Sequence, residues 1–240
     1  MNTVRLTAIG TAAAVAIIAL AACGSEATPA TSPSATATST PVEPSPTPSP
    51  TEVATTSVAT TTVGPQPEWA APVNAAGTEI GSAMVGDVQV SVLQAAVTQA
   101  TRTGQWSDPD THEPLIDVGD DIVVVNYVVT NTGAPVDLAS LLVKIEPRYD
   151  DWQWGQGMDS VVDTAMWTEL GLSNVPTIPS VAVNLTSFTL GTGESYGYAE
   201  NFAYQPGSPI TFDISLTPAD ADGTLLHDQR IETELHAVIE

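Results

Sequence analysis

The fold is decided by residues 122–130, which read Ile122-Val-Val-Val-Asn-Tyr-Val-Val-Thr130. This run is almost continuously apolar and rich in β-branched residues, which are enriched in strands. Because a half-solvated strand alternates apolar and polar residues, a continuous run predicts a strand buried on both faces. Asn131-Thr-Gly133 follows directly and predicts the turn that ends this strand.

On either side of this run, shorter stretches show the period-two alternation of strands. Val88, Val90 and Val92, for example, alternate with Gln89 and Ser91. We predict further strands at about residues 138–147, 182–190, 195–204, 209–217 and 230–239. Only Asp159 to Leu170 predicts a helix, with Asp159 as its candidate N-cap. Several strands without β-α-β alternation predict an all-β antiparallel sandwich with one short helix.

Composition limits where a core can form and what the protein can bind. All of the 5 Trp, 5 Tyr and 3 Phe residues lie at Trp69 or later, and we expect one folded domain over residues 73–240. The chain carries 5 Lys and Arg against 28 Asp and Glu, a formal charge of -23, which excludes nucleic acid as a partner. Cationic partners, either basic protein surfaces or divalent ions, are favoured in encounter rate.

The N-terminus has the layout of an export signal. A short basic start, Met1 to Arg5, precedes an uncharged Ala-rich run that ends in Leu20-Ala-Ala-Cys23-Gly24. This ending resembles the lipobox of bacterial lipoproteins. The resemblance implies that residues 1–22 are a signal peptide and that a diacylglyceryl group on Cys23 anchors the protein to the extracellular face of the cell membrane. The alternative is a retained transmembrane helix, because the run approaches the roughly 18 apolar residues of a span.

Residues 23–72 are assigned to the lipidated N-terminus and a disordered tether. Of the 44 residues from Gly24 to Pro67, 12 are Thr, 9 Pro, 7 Ser and 6 Ala, with no aromatic residue. Such a segment cannot bury enough apolar surface to offset its ordering entropy. It suits a stalk through the thick wall of a Gram-positive-type envelope, and its composition also resembles O-glycosylated stalks.

Three short motifs follow one another along the chain. They are Val85-Gly-Asp-Val88-Gln-Val90, then Gly119-Asp-Asp-Ile-Val-Val-Val-Asn-Tyr-Val-Val-Thr-Asn131-Thr-Gly133, then Leu190-Gly-Thr-Gly193-Glu194-Ser. The order resembles the immunoglobulin-like domain of bacterial surface lipoproteins related to a secreted mycobacterial antigen family. This resemblance implies an immunoglobulin-like sandwich outside the cytoplasm and implies no established chemistry. Asp150 to Ser180 departs from a minimal member of that family.

Gly193-Glu-Ser195-Tyr-Gly197 matches the G-x-S-x-G motif of serine hydrolases, and Asp213, Asp228 and His236 follow in hydrolase order. That motif requires a strand-to-helix turn, whereas the residues after Gly197 have a strand pattern. We therefore expect a Gly-rich turn and no enzyme activity, with a serine hydrolase using Ser195 as the alternative.

An acidic loop places Asp108, Asp110, Glu113 and Asp117 close together in sequence, and oxygen ligands are what Ca²⁺ prefers. The spacing does not fit an EF-hand loop, because counting from Asp108 puts Glu113 at the glycine position and Gly119 at the glutamate position. We expect a solvated loop, with no metal and no cofactor, and keep these four residues as weak calcium candidates.

Trp152 and Trp154 would share one face of an extended segment, beside the carboxylates of Asp150 and Asp151. They form a candidate platform for an envelope protein, peptide or glycan ligand, and core closure is the alternative. The sequence thus predicts a membrane-anchored extracytoplasmic lipoprotein with a binding or interaction domain. A calcium-dependent or structural envelope module is the alternative function.

Overall fold

The computed structural model of the protein describes residues 61–240. The predicted signal peptide, Cys23 and most of the predicted tether lie outside the described residues. Between residues 61 and 240, no helix is long and apolar enough to cross a membrane.

Eight strands dominate this part of the chain. They are β1 (Thr78–Val85), β2 (Val88–Gln99), β3 (Asp121–Asn131), β4 (Val136–Tyr149), β5 (Phe188–Leu190), β6 (Ser195–Ala203), β7 (Pro209–Pro218) and β8 (Ile231–Val238). The helices are α1 (Thr164–Leu170), the single-turn α2 (Pro179–Ala182) and a 3₁₀ turn at His227–Gln229. The predicted all-β class is confirmed, and four of the five predicted strand ranges correspond to β4, β6, β7 and β8.

The strands form two four-stranded sheets in which every pairing is antiparallel. The first sheet has the order β1-β2-β3-β6 and the second the order β5-β4-β7-β8. The chain passes from one sheet to the other between β3 and β4, between β5 and β6, and between β6 and β7. This exchange between two facing sheets is the Greek-key arrangement of immunoglobulin-like sandwiches.

The main core lies between the two sheets. The first sheet contributes alternate residues of β3, such as Val125 and Tyr127, and the second sheet contributes Phe212 and Ile214 of β7. Both sets follow the period of two that places every second side chain on one face of a strand. The alternation read from the sequence therefore decides which residues fill this core.

β3 is buried on both faces, as its continuous apolar run predicted. The outer face of the first sheet carries a second apolar cluster, in which Ile122 and Val124 of β3 contact residues outside the sheets. That cluster consists of Ala100, Ile116, Ile122, Val124, Val161, Met166, Trp167 and Ala199. Residues 150–180, which we call the covering segment, supply Val161 and α1 to it.

The predicted helix begins later than expected, and its N-cap is Asp163 rather than Asp159. The Asp163 carboxylate accepts hydrogen bonds from the N–H groups of Ala165 and Met166, which are free donors in the first turn. Asp159 instead accepts the N–H groups of Gln105 and Trp106 with its Oδ1 atom. The predicted cap was therefore wrong, because backbone N–H groups of residues 105 and 106 engage the Asp159 carboxylate and the helix begins four residues later.

The predicted strand at residues 182–190 is wrong for most of its length. Its first residue belongs to α2, and β5 covers only Phe188–Leu190. Pro179 lies at the start of α2. Proline is tolerated there because an N–H at this position would have no partner within the helix, and because its fixed φ suits a helix. Apolar residues after this proline resembled a strand pattern without forming one.

The folded part of the chain begins before residue 73, which corrects the predicted end of the tether. Trp69 is 5% exposed, and its ring lies 5.4 Å from the rings of both Phe188 and Tyr196. Its Nε1–H donates to the Thr189 carbonyl at 2.9 Å. We call residues 64–71 the N-terminal strap. Trp69 anchors this segment, whose composition otherwise resembles that of the tether.

Candidate ligand cleft

The two sheets leave one side of the sandwich open between β4 and β6. β6 is the last strand of its sheet, and β5 pairs only with Val136–Leu138 of β4. The later part of β4 therefore has no strand on that side within the described residues. Pro147 lies in this part and pairs with Phe212 of β7, as expected for an edge, where a missing N–H disrupts no ladder.

A cleft of about 420 Å³ lies along this open side, beneath the covering segment. β4 and β6 form its walls. The covering segment closes one side through Gly157, Met158, Ser160, Val161, Val162, Trp167 and Asn174. The side chain of Asn201 fixes this closure, because it accepts from the Val161 N–H at 2.8 Å and donates to the Val161 carbonyl at 2.9 Å. The volume falls in the range typical of small-molecule sites.

The charged groups of the cleft are acidic. Glu200 of β6 and Glu146 of β4 line it, and the described lining residues include no Lys, Arg or His. Glu146 pairs with Lys144 at 2.6 Å outside this lining. Tyr127 O–H donates to Glu200 Oε2 at 3.2 Å. The pKa of Glu200 is raised to about 7, chiefly by burial and also by the negative charge of Glu146, and the Tyr127 hydrogen bond opposes both effects. Glu200 can therefore exchange a proton near neutral pH.

Trp167 lines the same cleft and carries a donor without a partner. The residue is 6% exposed, and its Nε1–H has no hydrogen-bond partner among residues 61–240. A buried donor left unsatisfied costs roughly 1–3 kcal/mol, so such groups are rare in folded proteins. The residues that line the cleft therefore include an acceptor, Glu200, and a tryptophan whose buried donor is unpaired.

Apolar side chains occupy the space between these polar groups. Ile145 and Pro147 belong to β4, Phe202 to β6, and Met158 to the covering segment. Val162 is 60% exposed and also lines the cleft, so it lies at the rim. The lining is therefore nearly evenly divided between polar and apolar surface, which is more polar than a typical small-molecule pocket.

Trp152 and Trp154 lie in the covering segment, outside any strand. Their ring centroids are 4.6 Å apart and their planes meet at 67°, an edge-to-face arrangement. Trp152 packs against the main core and donates its Nε1–H to the Gln156 carbonyl at 3.0 Å. Both indoles are half-buried, so core closure accounts for much of Trp152 while part of each ring stays accessible.

Ser195 is not placed as a catalytic nucleophile. Its side chain is 0% exposed, its Oγ accepts the Gly64 N–H at 2.9 Å, and it shares a hydrogen bond with Thr130 Oγ1 at 2.8 Å. Strand β6 follows it, whereas a nucleophile elbow needs a helix there. The serine instead holds the N-terminal strap against the first sheet.

The acidic loop uses its carboxylates to support its own backbone. Asp108 Oδ1 accepts the N–H groups of Asp110 and Thr111, and Asp117 Oδ1 accepts the Val118 N–H. No group of three or more His, Cys, Asp or Glu side chains within residues 61–240 is arranged to hold a metal ion. Asp110 and Glu113 are exposed in the same loop.

The two polar groups of the cleft were not identified in the sequence. One signal for Glu200 was present, because Tyr196, Tyr198, Glu200 and Phe202 occupy alternate positions of β6 and only Glu200 is charged. A carboxylate among inward-facing apolar residues of a strand indicates a candidate functional site. The open N–H of Trp167 has no such signal, since it depends on how the covering segment packs.

Comparisons with known proteins give one match. No protein-family model matches the chain, and no curated protein matches it. One solved structure, from Bacillus subtilis and described as "a putative lipoprotein (ycdA)", matches with a TM-score of 0.30 and 15% sequence identity. That match covers 68% of the present chain and 39% of the Bacillus protein. It gives no support to a relation with the secreted mycobacterial antigen family.

Proposed function

We propose that this protein is a lipid-anchored lipoprotein on the extracellular face of the cell membrane, and that its sandwich binds a small ligand in the cleft between β4 and β6. The observation that carries the binding function is the cleft itself, which is lined by the largely buried Glu200 and by Trp167, whose buried Nε1–H has no partner within residues 61–240.

The anchor rests on the sequence Leu20-Ala-Ala-Cys23-Gly24 and on Cys23 being the only cysteine of the chain. Two acyl chains on this residue would give stable attachment, because each buried methylene contributes about 0.8 kcal/mol. Cys23→Ala should therefore move the protein out of the membrane fraction. Membrane retention of the variant, together with an unlipidated wild-type N-terminus, would favour the retained-helix alternative.

Binding is proposed rather than catalysis because the cleft offers acids, amides and one hydroxyl, but no activated nucleophile. Ser160 Oγ accepts a hydrogen bond from Gln105 Nε2 at 3.2 Å, and the described lining residues provide no His or Lys to activate it. The volume suits a small molecule or the end of an envelope peptide or glycan rather than a folded partner.

The test is a screen of small-molecule fragments against the mature protein in detergent, read from the indole N–H resonances of its tryptophans. Trp167→Phe identifies the Trp167 signal. Fragments that shift this signal should bind at least about tenfold more weakly to Val162→Tyr, which narrows the rim by adding an aromatic ring.

Val183→Tyr is the matched control, because Val183 is 79% exposed and does not line the cleft. It should leave fragment binding unchanged. If no fragment shifts the Trp167 signal, or if Val162→Tyr and Val183→Tyr bind equally well, the cleft is not the binding site.

A further inference from the structure

We propose that the N-terminal strap acts as a latch for the cleft. While the strap is docked, it holds the end of the covering segment in place, and when the strap is released, the covering segment loosens and the cleft opens. This inference rests on the proposed function, because it concerns the regulation of the same cleft. The chain enters the folded domain through the strap, so a pull on the residues before it reaches the cleft by this route.

The strap is fixed to the sandwich near both of its ends. Near its start, the Gly64 N–H donates to Ser195 Oγ at 2.9 Å, and the Pro65 carbonyl accepts the Ser195 N–H at 2.7 Å. Near its end, Trp69 lies in the main core and donates its indole N–H to the Thr189 carbonyl. Because these hydrogen bonds are few, one substitution can weaken the docking of the strap.

The strap also pairs with the end of the covering segment. The Ala71 N–H donates to the Pro176 carbonyl at 2.9 Å, and the Trp69 carbonyl accepts the Ile178 N–H at 2.8 Å. These two bonds flank a single antiparallel bridge between the two segments. Residues 176–178 are therefore held to the sandwich through the strap.

A further contact joins the chain just after the strap to α1. The Asn74 side chain donates its Nδ2–H to the carbonyl of Gly171, the C-cap of α1, at 2.7 Å. Trp167 and Asn174, which line the cleft, lie on either side of Gly171 in the sequence. This part of the cleft wall therefore lies between the Asn74 contact and the bridge to the strap.

The first half of the covering segment is held in a different way. Asp159 and Asp163 accept hydrogen bonds from the loop between β2 and β3, and these contacts do not involve the strap. Residues 171–178 have one direct backbone bond to β6, in which the Ala199 N–H donates to the Ser173 carbonyl at 2.8 Å. Release of the strap should therefore loosen residues 171–178 and α1 while the first half stays attached.

Two indole N–H groups report these two movements separately. The Trp69 N–H is bonded to the Thr189 carbonyl, so we expect it to exchange with solvent only when the strap undocks. The Trp167 N–H is buried in the second cluster, so we expect it to exchange only when α1 moves away from the first sheet. If the strap is a latch, a change that releases Trp69 also exposes Trp167.

Gly64→Ala weakens the strap without contacting the covering segment. A Cβ atom at residue 64 would lie 2.1 Å from the Gly193 carbonyl oxygen, so the backbone of the strap must shift. Hydrogen exchange is followed at the indole N–H resonances of the full mature chain in detergent. Both Trp69 and Trp167 should exchange at least about tenfold faster than in the wild type, while the amide of Val125 in β3 keeps its protection.

Gly223→Ala is the matched control. A Cβ atom at residue 223 would lie 2.1 Å from the Thr186 carbonyl oxygen, but Gly223 belongs to the loop between β7 and β8. This variant should leave both indole exchange rates unchanged. A second variant, Asn74→Ala, removes the contact with α1 and leaves Trp69 docked, so it should speed the exchange of Trp167 and not that of Trp69.

Three outcomes would overturn the latch. In the first, Gly64→Ala speeds the exchange of Trp69 alone, which means that the strap moves without the covering segment. In the second, Gly223→Ala speeds Trp167 as much as Gly64→Ala does, which means that the effect is a general loss of stability. In the third, neither Gly64→Ala nor Asn74→Ala changes the exchange of Trp167. These measurements need no ligand, so a failure of the latch is distinguishable from a failure of the fragment screen.

Discussion

Trp69 and Trp167 are equally buried and have opposite hydrogen-bonding states. Trp69 belongs to the N-terminal strap and closes the main core, and its Nε1–H donates to the Thr189 carbonyl. Trp167 belongs to α1 and closes the second cluster, and its Nε1–H has no partner within residues 61–240. Their exposures are 5% and 6%. Burial alone therefore does not distinguish these two tryptophans, whereas the hydrogen-bonding state of the indole N–H does.

The largest effect expected from this comparison concerns the N-terminal strap. Trp69→Ala should lower the free energy of unfolding by about 3–5 kcal/mol, because it leaves a cavity between Phe188 and Tyr196. Deletion of residues 24–60, which keeps the strap, should change it by no more than about 0.5 kcal/mol. Chemical denaturation of both variants measures these values. Equal destabilisation would show that the strap and the tether are one structural unit.

The next largest effect concerns the pH dependence caused by Glu200. Its pKa is raised from an ordinary 4.5 to about 7, so between these values the folded state holds a proton that the unfolded state has released. The contribution of Glu200 to stability is therefore fully present below about pH 4.5 and is lost as pH rises to about 7. At about 1.36 kcal/mol for each pH unit, the loss is on the order of 3 kcal/mol.

Glu200→Gln removes this titration and should keep the Tyr127 hydrogen bond. Relative to the wild type, it should gain stability steadily from about pH 4.5 to 7 and then stay constant. Urea unfolding of both proteins across this range measures the difference, in which the other acidic groups cancel. A difference that does not change with pH would mean that Glu200 has an ordinary pKa and that the cleft is well hydrated.

The two tryptophans can be compared directly by replacing each with phenylalanine. Trp69→Phe leaves the Thr189 carbonyl without its donor, whereas Trp167→Phe removes a donor that had no partner. Both lose similar volume, so Trp69→Phe should be more destabilising by about 1–3 kcal/mol. Thermal or chemical unfolding gives this difference. Equal losses would indicate that the Trp167 N–H is satisfied in solution, in contradiction to the account of the cleft.

The smallest effect is expected from calcium. Asp108 and Asp117 already accept backbone N–H groups of their own loop. Millimolar Ca²⁺ at low ionic strength should therefore leave the melting temperature unchanged. A clear rise that Asp108→Asn abolishes would restore the calcium-dependent alternative.

The sheets were predictable because their pattern is local. The continuous apolar run of β3 predicted burial on both faces, and period-two alternation predicted β4, β6, β7 and β8. β1 was missed, because its sequence TEIGSAMV contains small and polar residues and a register shift between Glu79 and Gly81. Strand pairing with β2 holds it in place, and pairing is not visible in the pattern of one strand.

The cleft was less predictable because it depends on contacts between distant segments. Its walls come from β4 and β6, and its closure depends on Asn201 holding Val161 of the covering segment. Glu200 could have been suspected from its inward-facing position in β6. The unpaired N–H of Trp167 could not have been predicted, because a tryptophan at the same position with a carbonyl nearby would be an ordinary core tryptophan.

The account is tested most directly by a crystal structure of the mature protein soaked with a fragment that shifts the Trp167 signal. It predicts density for the fragment in the cleft between β4 and β6. A structure in which Trp167 Nε1–H donates to a protein carbonyl, with the cleft filled by side chains, would contradict it.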